Sequence, residues 1–243
     1  VMQSVVRRGI ICGKIKGINM HINLKHMGAD SCWKTIVDMH SDYHQNLKQH
    51  NYTYNQFVPN DKRMHEFMEI ETPTAQQVKH YRDIFLNEIY NESDLKKLDN
   101  TIVDSVIPKM QMAIDGKIKP LANKWGIKLP EQLDIVCAYG CGGSYYPGEK
   151  PVILFRVSDY PADRSPYGMF VHEFVHILIE RPIIEKYNVP QDLKENIVDI
   201  ICLELFGHEP RNSFNKSFAN TYITPQAIRT DLSGAVKKMM ADY

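Results

Sequence analysis

Neither sign of charge predominates in this 243-residue chain: Lys and Arg total 29, Asp and Glu total 29, and the formal net charge is zero. A phosphate backbone or an anionic bilayer calls for a basic surface, so no nucleic-acid partner is expected. No apolar run approaches the roughly 20 residues that a bilayer-spanning helix needs, so no membrane insertion is expected either. Cysteine is sparse and odd in number, five in all, and its spacing is not that of a disulfide framework. Cys202 sits in an apolar helical run and reads as a small buried hydrophobe. Cys137 and Cys141 are close enough in a Gly-rich stretch to form a local bridge. Internal repeats and low-complexity tracts are also missing, which sets aside solenoids and disordered arrays.

What is present is ordinary globular composition, with 43% hydrophobic and 24% charged residues. The length is enough for one large domain or two small ones with a sizeable core. Residues 9–25 carry short β-like runs (Ile10, Ile11, Ile15, Ile18, Ile22), while 40–73 are polar and aromatic without a clear period. Pro73 and Thr74 open a helical pattern carrying Val78, Tyr81, Ile84, Phe85 and Ile89. A second pattern runs from Ser93 through Leu95, Leu98, Ile102, Val106 and Ile107. Pro108 kinks or ends it, and helix resumes to Trp125 with Gly126 as the stop. Residues 133–139 and 151–157 read as strands around a turn-rich stretch, and helices are expected over 166–181, 190–206 and 225–241. The expected class is α+β. A mainly helical region, 1–130, precedes a region, 131–243, that holds a small sheet and three helices.

Histidine is plentiful, ten in all. Two of them, His172 and His176, enclose Glu173 in an H-E-x-x-H motif. On a helix, i and i+4 lie on one face about 6 Å apart, so both imidazoles reach one metal ion. Zinc takes nitrogen ligands at about 2.0–2.1 Å in a tetrahedral set, and a catalytic site leaves one position to water. Glu173 is placed to take the proton of that water. Ser165 suits the N-cap, Pro166 the first turn, and Pro182 the stop after Arg181. Apolar residues (Met169, Phe170, Val171, Phe174, Val175, Ile177, Leu178, Ile179) surround this helix, so it is buried. Two histidines and a glutamate inside a buried helix are costly unless paired or metal-bound.

A third ligand is expected on the next helix. Glu195 and Asp199 share a face at i, i+4, so one can bind zinc while the other orients a ligand histidine. The alternative is a solvated carboxylate pair at a helix start, favoured by the helix dipole.

The combination of His172-Glu173-x-x-His176 with Glu195-x-x-x-Asp199, with 18 residues between His176 and Glu195, resembles the gluzincin (thermolysin-like) metallopeptidases over residues 132–206. The family's usual Asn before the Glu is Lys194 here, and its usual Ser before the Asp is Val198. The resemblance implies a zincin-like domain in 131–243 and a Zn2+ cofactor. It implies His172, His176 and Glu195 as ligands, Glu173 as general base, Asp199 supporting His172, and a peptide or protein substrate. It also implies an edge strand, taken as 152–157, that pairs with extended substrate. An oxyanion donor, commonly Tyr or His, is implied as well. Tyr222 is the candidate, ahead of Tyr160 and Tyr167, since His208 lies about 20 Å along a continuous helix from Glu195.

A rival reading keeps the fold without turnover, as a binding or scaffold protein whose metal site is structural or vestigial. Hydrolysis of a non-peptide amide would use the same chemistry. His21, His26, His40, His44, His50, His65 and His80 read as surface histidines. Residues 140–144, Gly-rich but without a phosphate-loop Lys-Ser/Thr pair, read as a loop beside the site.

Overall fold

The computed structural model describes residues 12–14, 20–50, 53–54, 58–140, 144–156, 166–208 and 216–243. The expected strand residues Ile10, Ile11, Ile15, Ile18 and Val157 lie outside these, as do the expected cap Ser165, Tyr160 and Cys141.

The architecture is α+β, as the sequence implies. Five strands form one mixed sheet: β1 (Cys12–Lys14), β2 (His21–His26), β3 (Gln132–Ala138), β4 (Ser144–Tyr146) and β5 (Val152–Arg156), in the order β1-β2-β3-β5-β4. The inner pairs β2/β3 and β3/β5 are parallel, and the outer strands β1 and β4 are antiparallel to their neighbours. Strand β3 is central, and its Leu133, Ile135, Val136, Cys137 and Ala138 are all buried, as a parallel strand covered on both faces must be. Register places Leu24, Ile135, Ile153 and Tyr145 in one row across four strands, so these side chains share a face.

This sheet crosses the expected boundary near residue 130. β2 comes from the N-terminal region and pairs along its whole length with β3, and one hydrophobic core runs from Met20 to Met239. The two regions therefore share a sheet and a core. The reading of β5 as an edge strand is corrected, because β5 is paired on both sides and β4 is the outer strand.

The N-terminal half contributes α1 (Ala29–Asp42), α2 (Lys62–Glu69), α3 (Ala75–Ile84), α4 (Glu92–Thr101), α5 (Ile107–Ala113) and α6 (Lys119–Trp125). Helix α3 begins at a capping box, in which Thr74 and Gln77 satisfy each other's backbone. Helices α4 to α6 form one nearly continuous rod. Widened π-type turns, Ile102–Val106 and Ile114–Ile118, precede Pro108 and Pro120 and make room for each proline ring and for the carbonyl that its missing N–H leaves without a donor. Gly126 ends the rod at φ 68°, as the sequence suggests. Helices α1 and α2, with the turns following α1, give structure to much of 40–73 that shows no period in the sequence.

The C-terminal half contributes α7 (Pro166–Ile179), α8 (Gln191–Phe206), α9 (Lys216–Tyr222), α10 (Pro225–Thr230) and α11 (Leu232–Asp242). Pro182 does not stop the helix after α7. A π-type turn over Glu180–Glu185 carries it through, its wider loop of backbone accommodating the proline ring. Helix α7 lies on the face of the sheet that carries the row above: Phe170 meets Phe155 on β5 and His176 meets Tyr145 on β4.

Candidate metal centre

Helix α7 is almost wholly apolar, and eleven of its residues are buried, His172, Glu173 and His176 among them. Its exposed surface is too small to solvate these three, so their partners must come from neighbouring elements. They come from α8, the helix packed against α7. Leu193, Ile197, Val198 and Ile201 seat α8 in the core and turn Glu195 and Asp199 towards the two imidazoles.

Three ligand-type atoms converge. His172 Nε2 and His176 Nε2 are 3.1 Å apart, and Glu195 Oε2 lies 3.3 Å from the first and 3.4 Å from the second. Two donors about 2.05 Å from one tetrahedral ion are separated by about 3.3 Å. The three observed separations match that edge length, so this set fits a small divalent cation. Two imidazoles and a carboxylate suit zinc, although the donor types alone also suit other first-row ions. Among the described residues, these three form the one His/Cys/Asp/Glu group with atoms close enough to hold a metal ion together.

Asp199, 2% exposed, stands behind His172, with Oδ1 3.5 Å from Nδ1. Burial by itself would lower the pKa of His172. Interactions with Asp199, Cys202 and Glu195, and the field of Glu173, outweigh burial and leave it well above 6.5. Glu195 behaves in the opposite sense: burial would raise its pKa, but the two imidazoles hold it far below the usual carboxylate range. Metal-free, the cluster is therefore a compensated set of charges, in which protons and a cation compete for the same atoms. Glu173 is 4% exposed, and its charge is felt at both His172 and Tyr145.

Tyr222 does not join this group. It ends α9, and its hydroxyl donates to Asp242 Oδ2 at 2.8 Å while its ring packs on Phe218. Tyr167 faces Lys109, Met112, Ala113 and Lys117 around a cavity of about 240 Å3. His208 follows α8 and packs over Gly168, where a Cβ would come within 2.2 Å of the ring. One other reading is corrected. His40 is buried, not at the surface, and its Nε2 bonds the Ile70 carbonyl at 2.7 Å. Cys137 is a buried free thiol, and the local bridge suggested for it falls on Cys141, outside the described residues.

A residue absent from the candidate ligand set stands against His176. The ring of Tyr145 is stacked on the imidazole with centroids 4.6 Å apart and planes 8° from parallel. Its hydroxyl donates to Glu180 at 2.6 Å and accepts from Lys194 at 3.0 Å. Glu180 was legible, since 172, 176 and 180 form one helical stripe. Lys194 adjoins Glu195. Tyr145 lay hidden because a three-residue strand beside glycines reads as loop. No family model, curated protein or solved structure matches the chain.

Proposed function

We propose that this chain is a zincin-like, zinc-dependent peptidase of gluzincin type. His172, His176 and Glu195 would hold the metal, and Glu173 would act as general base. One observation carries the reading: two imidazole nitrogens and a carboxylate oxygen from two packed helices meet at 3.1–3.4 Å from one another, the separations of a tetrahedral zinc site. When bound, zinc supplies Lewis acidity, polarising the scissile carbonyl and easing deprotonation of water.

The protein's own groups account for the remaining chemistry. Glu173 sits beside the first ligand on the same helix, and its carboxylate takes the proton of the attacking water. The same oxygen then delivers that proton to the leaving amine nitrogen, so that amide and water become acid and amine. Asp199 holds the Nδ1 side of His172 and keeps its Nε2 directed at the metal. Burial keeps the base and ligands out of bulk water, where their charges would be screened. A peptide substrate is favoured because the outer edge of the sheet, β4, packs against α7. Its backbone offers an extended chain a ladder of hydrogen bonds beside the ligands.

Metal analysis of the purified full chain tests this first. About one zinc per chain is expected, and His172→Ala should lose it. Glu173→Gln should retain zinc while turnover of a fluorogenic peptide mixture falls about 10²- to 10⁴-fold. Unchanged turnover would exclude Glu173 as the base, and a wild-type chain that takes up no divalent metal would end the reading.

A further inference from the structure

The two imidazoles of the candidate centre are supported differently. His172 has a carboxylate on its far nitrogen, Asp199 at 3.5 Å. Neither Nδ1 makes a hydrogen bond among the described residues, but that of His172 faces the Asp199 carboxylate, whereas the one ion-pair contact of His176 among those residues is through Nε2, to Glu195. A ligand imidazole normally has its rotation fixed by a partner on that nitrogen, so His176 must be fixed by another means. What it has is a face. Tyr145 lies flat on it, 8° from parallel at 4.6 Å, so turning the imidazole about its Cβ–Cγ bond would drive its edge into the phenol ring.

The tyrosine is itself held from three sides. β4 pairs Tyr145 with Ile153, which directs its ring into the face occupied by α7. Its hydroxyl donates to Glu180 Oε2 at 2.6 Å and accepts from Lys194 Nζ at 3.0 Å. Lys194 and Glu180 face each other at 3.6 Å, with side chains only 12% and 14% exposed. Glu180 is one helical turn beyond His176, and Lys194 immediately precedes Glu195. The tyrosine thus ties the sheet edge to both ligand-bearing helices. Burial, and then Glu180, push the phenol far above its ordinary pKa, so it remains neutral and able to donate.

We propose that Tyr145 is a positioning residue for His176, fixing that ring by stacking where Asp199 fixes His172 by charge, with Glu180 and Lys194 locking the tyrosine. The consequence for metal binding rests on the zinc reading above. The orientation of the ring does not.

The test uses the full chain with Tyr145→Phe, which keeps the ring, and Tyr145→Leu, which removes it. Imidazole proton–nitrogen correlation spectra of the metal-free protein should show the His176 ring protons displaced upfield by the tyrosine ring current. The displacement should persist in Tyr145→Phe and vanish in Tyr145→Leu. In Co2+ titrations, Tyr145→Phe, which keeps the stacked ring and loses the hydroxyl held by Glu180 and Lys194, should bind more weakly than wild type and more tightly than Tyr145→Leu. Tyr145→Leu should bind about 10- to 100-fold more weakly, the loss typical of a missing outer partner, with altered visible bands. Wild-type affinity and bands in Tyr145→Leu would overturn the proposal. So would Tyr145→Phe as weak as Tyr145→Leu, or wild-type His176 protons with no displacement. Failure of the wild type to bind Co2+ would count against the metal centre, and the imidazole spectra would still decide what holds His176.

Discussion

Replacing Asp199 by Asn separates orientation of a ligand from ligation itself. Asp199 is 2% exposed and its Oδ1 is 3.5 Å from Nδ1 of His172, on the opposite side of the ring from the Nε2 that faces His176 and Glu195. Asn keeps the volume and removes the charge, so packing is conserved while the imidazole faces a neutral, weaker acceptor in place of a carboxylate. Such losses cost about 10- to 100-fold in metal affinity, or about 1.4–2.7 kcal/mol. Glu195→Gln is equally conservative in shape but removes the carboxylate whose Oε2 lies 3.3 and 3.4 Å from the two imidazoles. Its cost should therefore exceed that of Asp199→Asn, beyond about 100-fold if the outer-partner range is the lower bound. Competition for zinc against a chromogenic chelator at constant pH and salt measures both, with circular dichroism of the metal-free proteins confirming the fold. The expected order of affinity is wild type, then Asp199→Asn, then Glu195→Gln. The reverse order of the two variants would make Asp199 the ligand, and wild-type affinity in both would remove the second helix from the site.

Because His172 has a pKa well above 6.5 without metal, zinc must displace a proton from it. Calorimetry at pH 7 in buffers of differing ionisation enthalpy should report about one proton released per zinc, and affinity should fall with pH; zero release would contradict a charged His172. In the metal-free protein, the raised His172 pKa adds stability that is full below 6.5 and lost as pH rises through the folded value. The depressed Glu195 pKa adds stability that is full above 4.5 and lost as pH falls through its folded value. The cluster's contribution to the urea midpoint should therefore be largest between 4.5 and 6.5. Gly168→Ala should lower the melting temperature, since its Cβ would come within 2.2 Å of the His208 ring, a crowding worth about 1–3 kcal/mol. In a His208→Ala background the same change should stabilise by about 0.5–1 kcal/mol through helix propensity, and a loss in both backgrounds would reject the contact as the cause. Tyr222→Phe should leave metal affinity and turnover unaltered, because its hydroxyl is engaged with Asp242; a large fall in turnover would return it to the site.

The parts of this protein legible in its sequence are those where one local rule decides. Thr74 with Gln77 marks a helix start, Gly126 a helix stop, and the His172/His176 spacing a shared helical face. The pairing of Glu195 with Asp199 was legible for the same reason, because i, i+4 on an apolar helix leaves few places for a carboxylate to point. Long-range features were not. Strand β2 offers only Ile22 and Leu24 as buried residues in alternation, and nothing local announces that its partner is β3, more than 100 residues away. Pro108 and Pro182 read as breaks because a proline clashes with α-helical pitch, and a widened turn that accommodates one leaves no signature in the residues. Tyr145 belongs to a strand of three residues whose direction depends on pairing with β5.

The same chain contains a control for its candidate centre. His40 and His44 also stand at i, i+4 on one helical stretch, with rings 4.7 Å apart. Each directs Nε2 to a backbone carbonyl, Ile70 at 2.7 Å and Met68 at 2.8 Å, which is how histidines in a protein interior are usually satisfied. Spacing alone therefore does not make a metal site here. His172 and His176 differ by turning their Nε2 atoms towards each other and towards one carboxylate oxygen, at separations that an ion about 2 Å from each would impose. As structure, the arrangement has little to recommend it. Buried charge sets seldom exceed apolar residues of the same volume in stability, and replacing them is often neutral or stabilising by about 1–4 kcal/mol. Helix α7 is apolar on every other side and would accept leucine at either position. Five ionisable groups, His172, Glu173, His176, Glu195 and Asp199, four of them buried, fit a bound cation better than a purely structural role.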